Sequence, residues 1–100
     1  MATAFESLLR EHLAAPYPHG VEVSDADLEM LDADVAGLAT SYRDRRHLTV
    51  EQSEILRGCA QELHRIDASL PGGSRDYFRR LAALADALIA EAPVHGSSVR

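Results

Sequence analysis

Apolar residues recur three and four positions apart in four segments of the chain, the spacing that predicts amphipathic α-helices. The first helix is expected from Ala4 to Ala15, because Thr3 and Glu6 form a capping box and Pro16 blocks continuation. Its apolar stripe consists of Phe5, Leu8, Leu9 and Leu13, with His12 as a residue at the boundary. A connector at 16–23, rich in Pro and Gly, separates this helix from the next.

The second predicted helix runs from Asp25 to about Arg46, with Ser24 as its N-cap. One face of this helix is apolar and is formed by Leu28, Leu31, Val35, Leu38, Ala39 and Tyr42. The turn that follows, around His47 and Leu48, is only two or three residues long. So short a connection predicts that the second and third helices are antiparallel neighbours.

The third predicted helix starts after Thr49, which forms a capping box with Gln52, and ends near Leu70. The fourth is capped by Ser74 and ends near Ala92. The third has an apolar stripe of Ile55, Leu56, Cys59, Leu63, Ile66 and Leu70. The fourth has the broadest apolar face, which contains Tyr77, Phe78, Leu81, Leu84, Ala85, Leu88 and Ile89. The sequence therefore predicts an all-α, antiparallel helical bundle of three long helices plus a shorter N-terminal helix. One domain should span residues 1–93, and residues 94–100 should form a flexible tail.

The amino-acid composition indicates which classes of partner and which cellular location to expect for this chain. All ten basic residues are Arg, and the chain has no Lys or Asn, which favours a bacterial source with a GC-rich genome. The net charge of −6 argues against nucleic acid, which needs a basic surface. No apolar run approaches the length of a membrane span. Cys59 is the only cysteine, and the segment Met1 to Leu9 lacks the early basic residues of a secretory signal, so we expect a cytoplasmic protein.

An acidic stretch coincides with the start of the second helix: Glu22, Asp25, Asp27, Glu29, Asp32 and Asp34. These carboxylates can face a basic partner, or they can form an ordinary solvated face whose acids complement the helix dipole. The helix dipole accounts only for the acidic residues in the first turn of the second helix. Glu29, Asp32 and Asp34 lie deeper in the helix and need another reason.

The second helix also has a weakly polar side, formed by Ala26, Met30, Ala33, Gly37 and Thr40. Glycine inside a helix costs about 1 kcal/mol relative to alanine, so Gly37 indicates that another helix approaches closely there. That helix can be the first or the fourth helix of this chain, or it can belong to a partner. The candidate partner-binding residues are Glu29, Met30, Ala33, Asp34 and Gly37.

A metal site is the second candidate. In an antiparallel hairpin of the second and third helices, His64 of the third helix lies at the same height as Leu31 of the second. His64 is on a flank of the third helix that should face Glu29 and Asp32. One histidine with these carboxylates suits Mn²⁺ or Zn²⁺. The simpler alternative is a histidine at the rim of the bundle that pairs with one carboxylate.

These patterns favour a non-enzymatic protein-interaction module that acts through the second helix. An adaptor, a chaperone or an acidic immunity-type inhibitor would each fit, with another protein or a second copy of the chain as partner. The alternative is a small metal-dependent all-α enzyme that uses His64 with Glu29 and Asp32. No catalytic residue and no cofactor is indicated by the spacing of the polar residues.

Overall fold

Four helices pack against one another in the structure, a computed structural model that describes residues 3–23 and 26–95. The helices are α1 (Ala4–Ala14), α2 (Leu28–Arg45), α3 (Val50–Ile66) and α4 (Gly72–Glu91), and a 3₁₀ turn (Asp67–Ser69) follows α3. The prediction of an all-α fold with three long helices and a shorter N-terminal one is confirmed.

Capping boxes begin α1 and α3 as the sequence predicts. The Thr3 hydroxyl accepts a hydrogen bond from the Glu6 backbone N–H, and the Glu6 carboxylate accepts one from the Thr3 N–H. Thr49 and Gln52 exchange the same two bonds at 3.0 Å each. Each box satisfies two backbone donors that have no partner within the helix, so it fixes where the helix starts.

The starts of α2 and α4 differ from the sequence prediction. Asp27 is the N-cap of α2, and its carboxylate accepts from the Met30 N–H at 3.0 Å. The predicted start at Ser24 and Asp25 lies outside the described residues, and Asp27 itself still has an extended backbone. Helix α2 therefore begins at Leu28, later than the sequence predicts. The N-cap of α4 is Pro71 rather than Ser74. Ser74 lies in the first turn, where its hydroxyl donates to the Pro71 carbonyl.

A short parallel strand pair joins the turn after α2 to the segment after α4. Strand β1 (Leu48–Thr49) pairs with β2 (Val94–His95), and the Leu48 N–H donates to the Pro93 carbonyl at 3.1 Å. The flexible tail was predicted to start at Val94, whereas these first two residues are paired. The remainder of that tail, residues 96–100, lies outside the described residues.

The core lies between the apolar faces of the four helices, and α4 contributes most to it. Leu81, Leu84, Ala85 and Leu88 are fully buried, as the broad face of α4 predicts. Burying a leucine side chain contributes about 1.5–3 kcal/mol, so this face alone stabilises the fold strongly. Two predicted core residues are wrong: Leu13 is 54% exposed and Ile55 is 51% exposed. Both lie at the edge of their stripe, where the neighbouring helices do not reach.

Within residues 3–23 and 26–95, no helix combines the length and the apolar character of a membrane span.

Candidate interaction surface

The outward face of α2 carries an exposed strip, here called the α2 strip: Met30, Ala33 and Gly37. Leu28, Leu31 and Val35 point inward and are buried, so the residues on the other side of the helix face away from the core. Met30 is 55% exposed, and Ala33 and Gly37 are exposed as well. A Cβ atom added to Gly37 would meet no atom within 4 Å.

The α2 strip therefore has no cover within the described part of the chain. Packing of α1 or α4 onto this side, one of the two alternatives from the sequence, is wrong for Met30, Ala33 and Gly37. The ends of the weakly polar side, Ala26 and Thr40, are half-buried, and the Thr40 hydroxyl donates to the backbone of its own helix. The reason for a glycine at position 37 is thus not found inside the described fold.

The two candidate carboxylates beside the strip have different surroundings. Glu29 is exposed and has no ion pair or hydrogen bond among the described residues. Asp34 is half-buried and lies close to Cys59 of α3. Burial raises the pKa of the Cys59 thiol, and the negative charge of Asp34 raises it further. Glu29 is therefore available to a partner, whereas Asp34 faces the seam between α2 and α3.

Asp32 lies in a polar network that joins three helices. The Nε2–H of His12 in α1 donates to Oδ1 of Asp32 at 2.7 Å, and the Tyr77 hydroxyl of α4 donates to the same oxygen at 2.8 Å. His12 is 3% exposed and Tyr77 is 9% exposed, so the donors are buried although Asp32 is partly open to solvent. Burial and the Asp32 carboxylate raise the pKa of Tyr77 far above its usual value. The network joins α1, α2 and α4 to one another, and its histidine is enclosed.

The structure does not assemble the proposed metal set. His64 of α3 pairs with Asp86 of α4 through its Nε2 at 2.8 Å, and both side chains are more than half exposed. Asp32 accepts hydrogen bonds from His12 and Tyr77, and Glu29 has no side-chain partner among residues 3–23 and 26–95. Within residues 3–23 and 26–95, no three His, Cys, Asp or Glu side chains are grouped closely enough to hold a metal ion. His64 thus has the simpler role considered for it, with Asp86 in place of an α2 carboxylate.

A cleft of about 610 Å³ opens beside the first turn of α2, next to the α2 strip. Tyr17 and His19 line it from the connector, and Asp27 and Glu29 line it from α2. Burial raises the pKa of Tyr17, and the nearby carboxylates, Glu29 first, raise it further. The potential in this cleft is therefore negative, which favours contact with a cationic group.

A second groove, of about 580 Å³, lies between α1 and the far end of α2. Leu9, Leu13 and Ala14 give it an apolar wall, and Arg10 and Arg43 stand beside them. Arg43 is about half exposed, and its nearest carboxylate is that of the adjacent Asp44, at 3.6 Å. The two ends of α2 thus have opposite charge at their exposed edges, acidic at Glu29 and basic at Arg43.

The sequence analysis missed the network of His12, Asp32 and Tyr77. His12 was assigned to the boundary of its stripe, yet it is one of the most buried polar residues of the chain. The available signal was its position among leucines, because a histidine inside an apolar stripe needs a polar partner on another helix. The partner could not be chosen from the sequence, where six carboxylates of the acidic stretch were equivalent candidates.

Known proteins add no information about this surface. The residues of the chain alone carry the functional interpretation. Comparison with protein-family models, with curated proteins and with solved structures finds no match for this sequence.

Proposed function

We propose that this chain is a non-enzymatic protein-interaction module that binds a helix of another polypeptide along α2. The observation that carries the proposal is the exposure of the α2 strip, with Met30 55% exposed and open space above Gly37. A glycine at an exposed helical position costs about 1 kcal/mol relative to alanine and has no compensating contact within the described fold. Close approach of a partner helix supplies the missing reason.

The chemistry of the strip suits a helical partner. Ala33 and Gly37 leave room for the backbone of a second helix, and the flexible side chain of Met30 adapts to the surface of that helix. The exposed carboxylate of Glu29 and the negative cleft beside it favour a partner with basic residues near this end of α2. An adaptor, a chaperone or an acidic inhibitor of a basic protein, acting in the cytoplasm, would each require such a surface.

Site-specific photo-cross-linking tests the proposal. A benzoyl-phenylalanine introduced at Ala33 should form a covalent protein adduct in cells of the natural host. The same residue introduced at Ala83, which is exposed on α4, serves as the matched position and should form none. Gly37→Glu should abolish the Ala33 adduct, because a long charged side chain at the crossing point holds the partner away.

Gly58→Glu is the control for the effect of adding a glutamate to an exposed helical glycine. Gly58 lies in α3, and a Cβ atom added there also meets nothing within 4 Å. This variant should keep the Ala33 adduct and should fold like the Gly37→Glu variant, as judged by circular dichroism. Equal adducts at Ala33 and Ala83, or an adduct that survives Gly37→Glu, would overturn the proposal.

A further inference from the structure

The exposed charges of α2 are arranged symmetrically about the middle of the helix. Glu29 and Arg43 are fourteen positions apart, about 21 Å along the axis, and lie within about 40° of each other around it. They therefore share one edge of the α2 strip, with Ala36 midway between them. Neither charge is neutralised well: Glu29 has no partner among the described residues, and Arg43 has only the 3.6 Å contact to Asp44.

The opposite edge of the strip repeats the arrangement about the same midpoint. Asp27 and Arg45 are eighteen positions apart, a whole number of helical turns, so they lie on one line along α2. Both residues are exposed. The Asp27 carboxylate uses one oxygen to accept from the Met30 N–H, and its second oxygen has no such bond to the described residues. Each edge of the α2 strip is thus acidic at one end and basic at the other.

A helix with this charge pattern is complementary to itself. In a two-fold symmetric pair of antiparallel helices, like edges lie together and each residue faces its mirror position across the midpoint. Glu29 of one copy then faces Arg43 of the other, and Asp27 faces Arg45, twice each. The residues nearest the axis, Ala33 and Gly37, are small enough for the two helices to approach closely. A partner with uniformly basic edges would leave Arg43 and Arg45 opposed by like charge.

We infer that the partner helix is α2 of a second copy of this chain, packed antiparallel about a two-fold axis near Ala36 and Gly37. The inference rests on the proposed function and names the partner for the same surface. One charge opposes it, because Asp44 comes close to Glu29 of the second copy. The 3.6 Å contact of Asp44 with Arg43 offsets only part of that repulsion, so Asp44→Ala should tighten the dimer.

Charge exchange between two variants tests the symmetric pairing. Sedimentation of the full chain should show a dimer at micromolar concentration. Glu29→Arg alone and Arg43→Glu alone should each weaken the dimer by at least about tenfold, because each places like charges opposite each other twice. Mixing the two variants should restore association as a 1:1 heterodimer, since every facing pair then has opposite charge. Both positions are exposed, so circular dichroism should show the same helix content in the two variants as in the wild type.

The outcomes separate this inference from the proposed function. A wild-type monomer whose Ala33 cross-linker captures a different protein would overturn the dimer and leave the interaction module standing. The absence of any adduct at Ala33 would overturn both. Single variants that remain dimeric, or a mixture that stays monomeric, would overturn the antiparallel pairing of α2. Recovery in the mixture supports it, since a general loss of folding cannot be reversed by a second variant.

Discussion

The Nε2 atom of His12 lies 2.7 Å from Oδ1 of Asp32 and ties α1 to α2 in the interior of the protein. The Tyr77 hydroxyl reaches the same oxygen from α4. Apolar contacts tolerate exchange of one residue for another, whereas these directional hydrogen bonds form in one arrangement of the three helices. The buried Nδ1 atom of His12 has no hydrogen-bond partner among the described residues. The network therefore specifies how the short α1, which a separate connector joins to α2, sits on the longer helices.

Replacing His12 should destabilise the fold strongly. His12→Ala removes a buried ring and leaves Asp32 with one buried donor fewer, so the free energy of unfolding should fall by about 2–3 kcal/mol. Glu11→Ala is the neighbouring control, because Glu11 is exposed and its contact with Arg80 is 3.8 Å long. That change should cost under about 0.5 kcal/mol. Urea unfolding of both variants measures the difference, and equal losses would mean that the His12–Asp32 bond is not formed.

The three tyrosines make the fold sensitive to alkali. The pKa values of Tyr17, Tyr42 and Tyr77 are all raised, in each case mainly by burial. An unfolded tyrosine is about half ionised near pH 10, whereas the raised pKa values keep more of these three side chains protonated in the folded chain at that pH. The unfolded state then binds fewer protons than the folded state, so stability should fall as the pH rises above about 10.

Absorbance of tyrosinate near the unfolding transition measures this effect. Native protein at pH 10–10.5, a range set by the ordinary tyrosine pKa of about 10, should show little tyrosinate, and the signal should appear together with loss of helicity. Tyr77→Phe provides the control, because it removes the phenol with the largest raise in pKa. After correction for any change in its stability at neutral pH, this variant should unfold at a higher pH than the wild type. Gradual ionisation of the native protein at pH 10 would contradict the burial of these side chains.

The single thiol should be unreactive in the folded protein. Cys59 is 6% exposed, and both burial and the charge of Asp34 raise the pKa of its thiol. The reactive thiolate is therefore scarce at neutral pH, and the reagent cannot reach it without opening of the α2–α3 seam. DTNB should react with native protein at least about tenfold more slowly than with protein in denaturant. Asp34→Asn should speed the native reaction only modestly, because burial is the larger cause.

The sequence predicts the helices well because helix formation depends on local signals. The spacing of leucines in α4 and the capping boxes at Thr3 and Thr49 lie within a few residues of the structures they produce. The strand pair between Leu48 and Val94 was not predictable in this way. It joins residues far apart in the chain, and two residues are too few to show the alternation typical of a strand.

The candidate site was harder to predict because it depends on which edges of the helices meet. The sequence analysis expected His64 to face Glu29 and Asp32. In the structure the Cys59 edge of α3 faces Asp34, and the His64 edge faces α4. Both arrangements bury the same leucines, so the apolar pattern cannot distinguish them. The polar partners of His64 and Asp32 depend on which edges of the helices meet. The exposure of the α2 strip does not, because it follows from the position of the strip opposite the buried face of α2.

Alanine substitutions at Gly37 and Gly58 measure how much the glycine in the α2 strip lowers the free energy of unfolding. Both are exposed, helical and free of any atom within 4 Å of an added Cβ. Gly37→Ala and Gly58→Ala should each raise the free energy of unfolding by about 0.5–1 kcal/mol, since alanine loses less conformational entropy in a helix. The two gains should add, because the variants remove no shared contact. Gly20→Ala is the opposite control, since the positive φ of Gly20, 80°, should make that change destabilising. Urea unfolding at a protein concentration where sedimentation shows the monomer measures all four variants, because a second copy over Gly37 would otherwise change the result. A gain at Gly58 with none at Gly37 under these conditions would mean that position 37 is covered within the monomer, and the α2 strip would then not be a free surface.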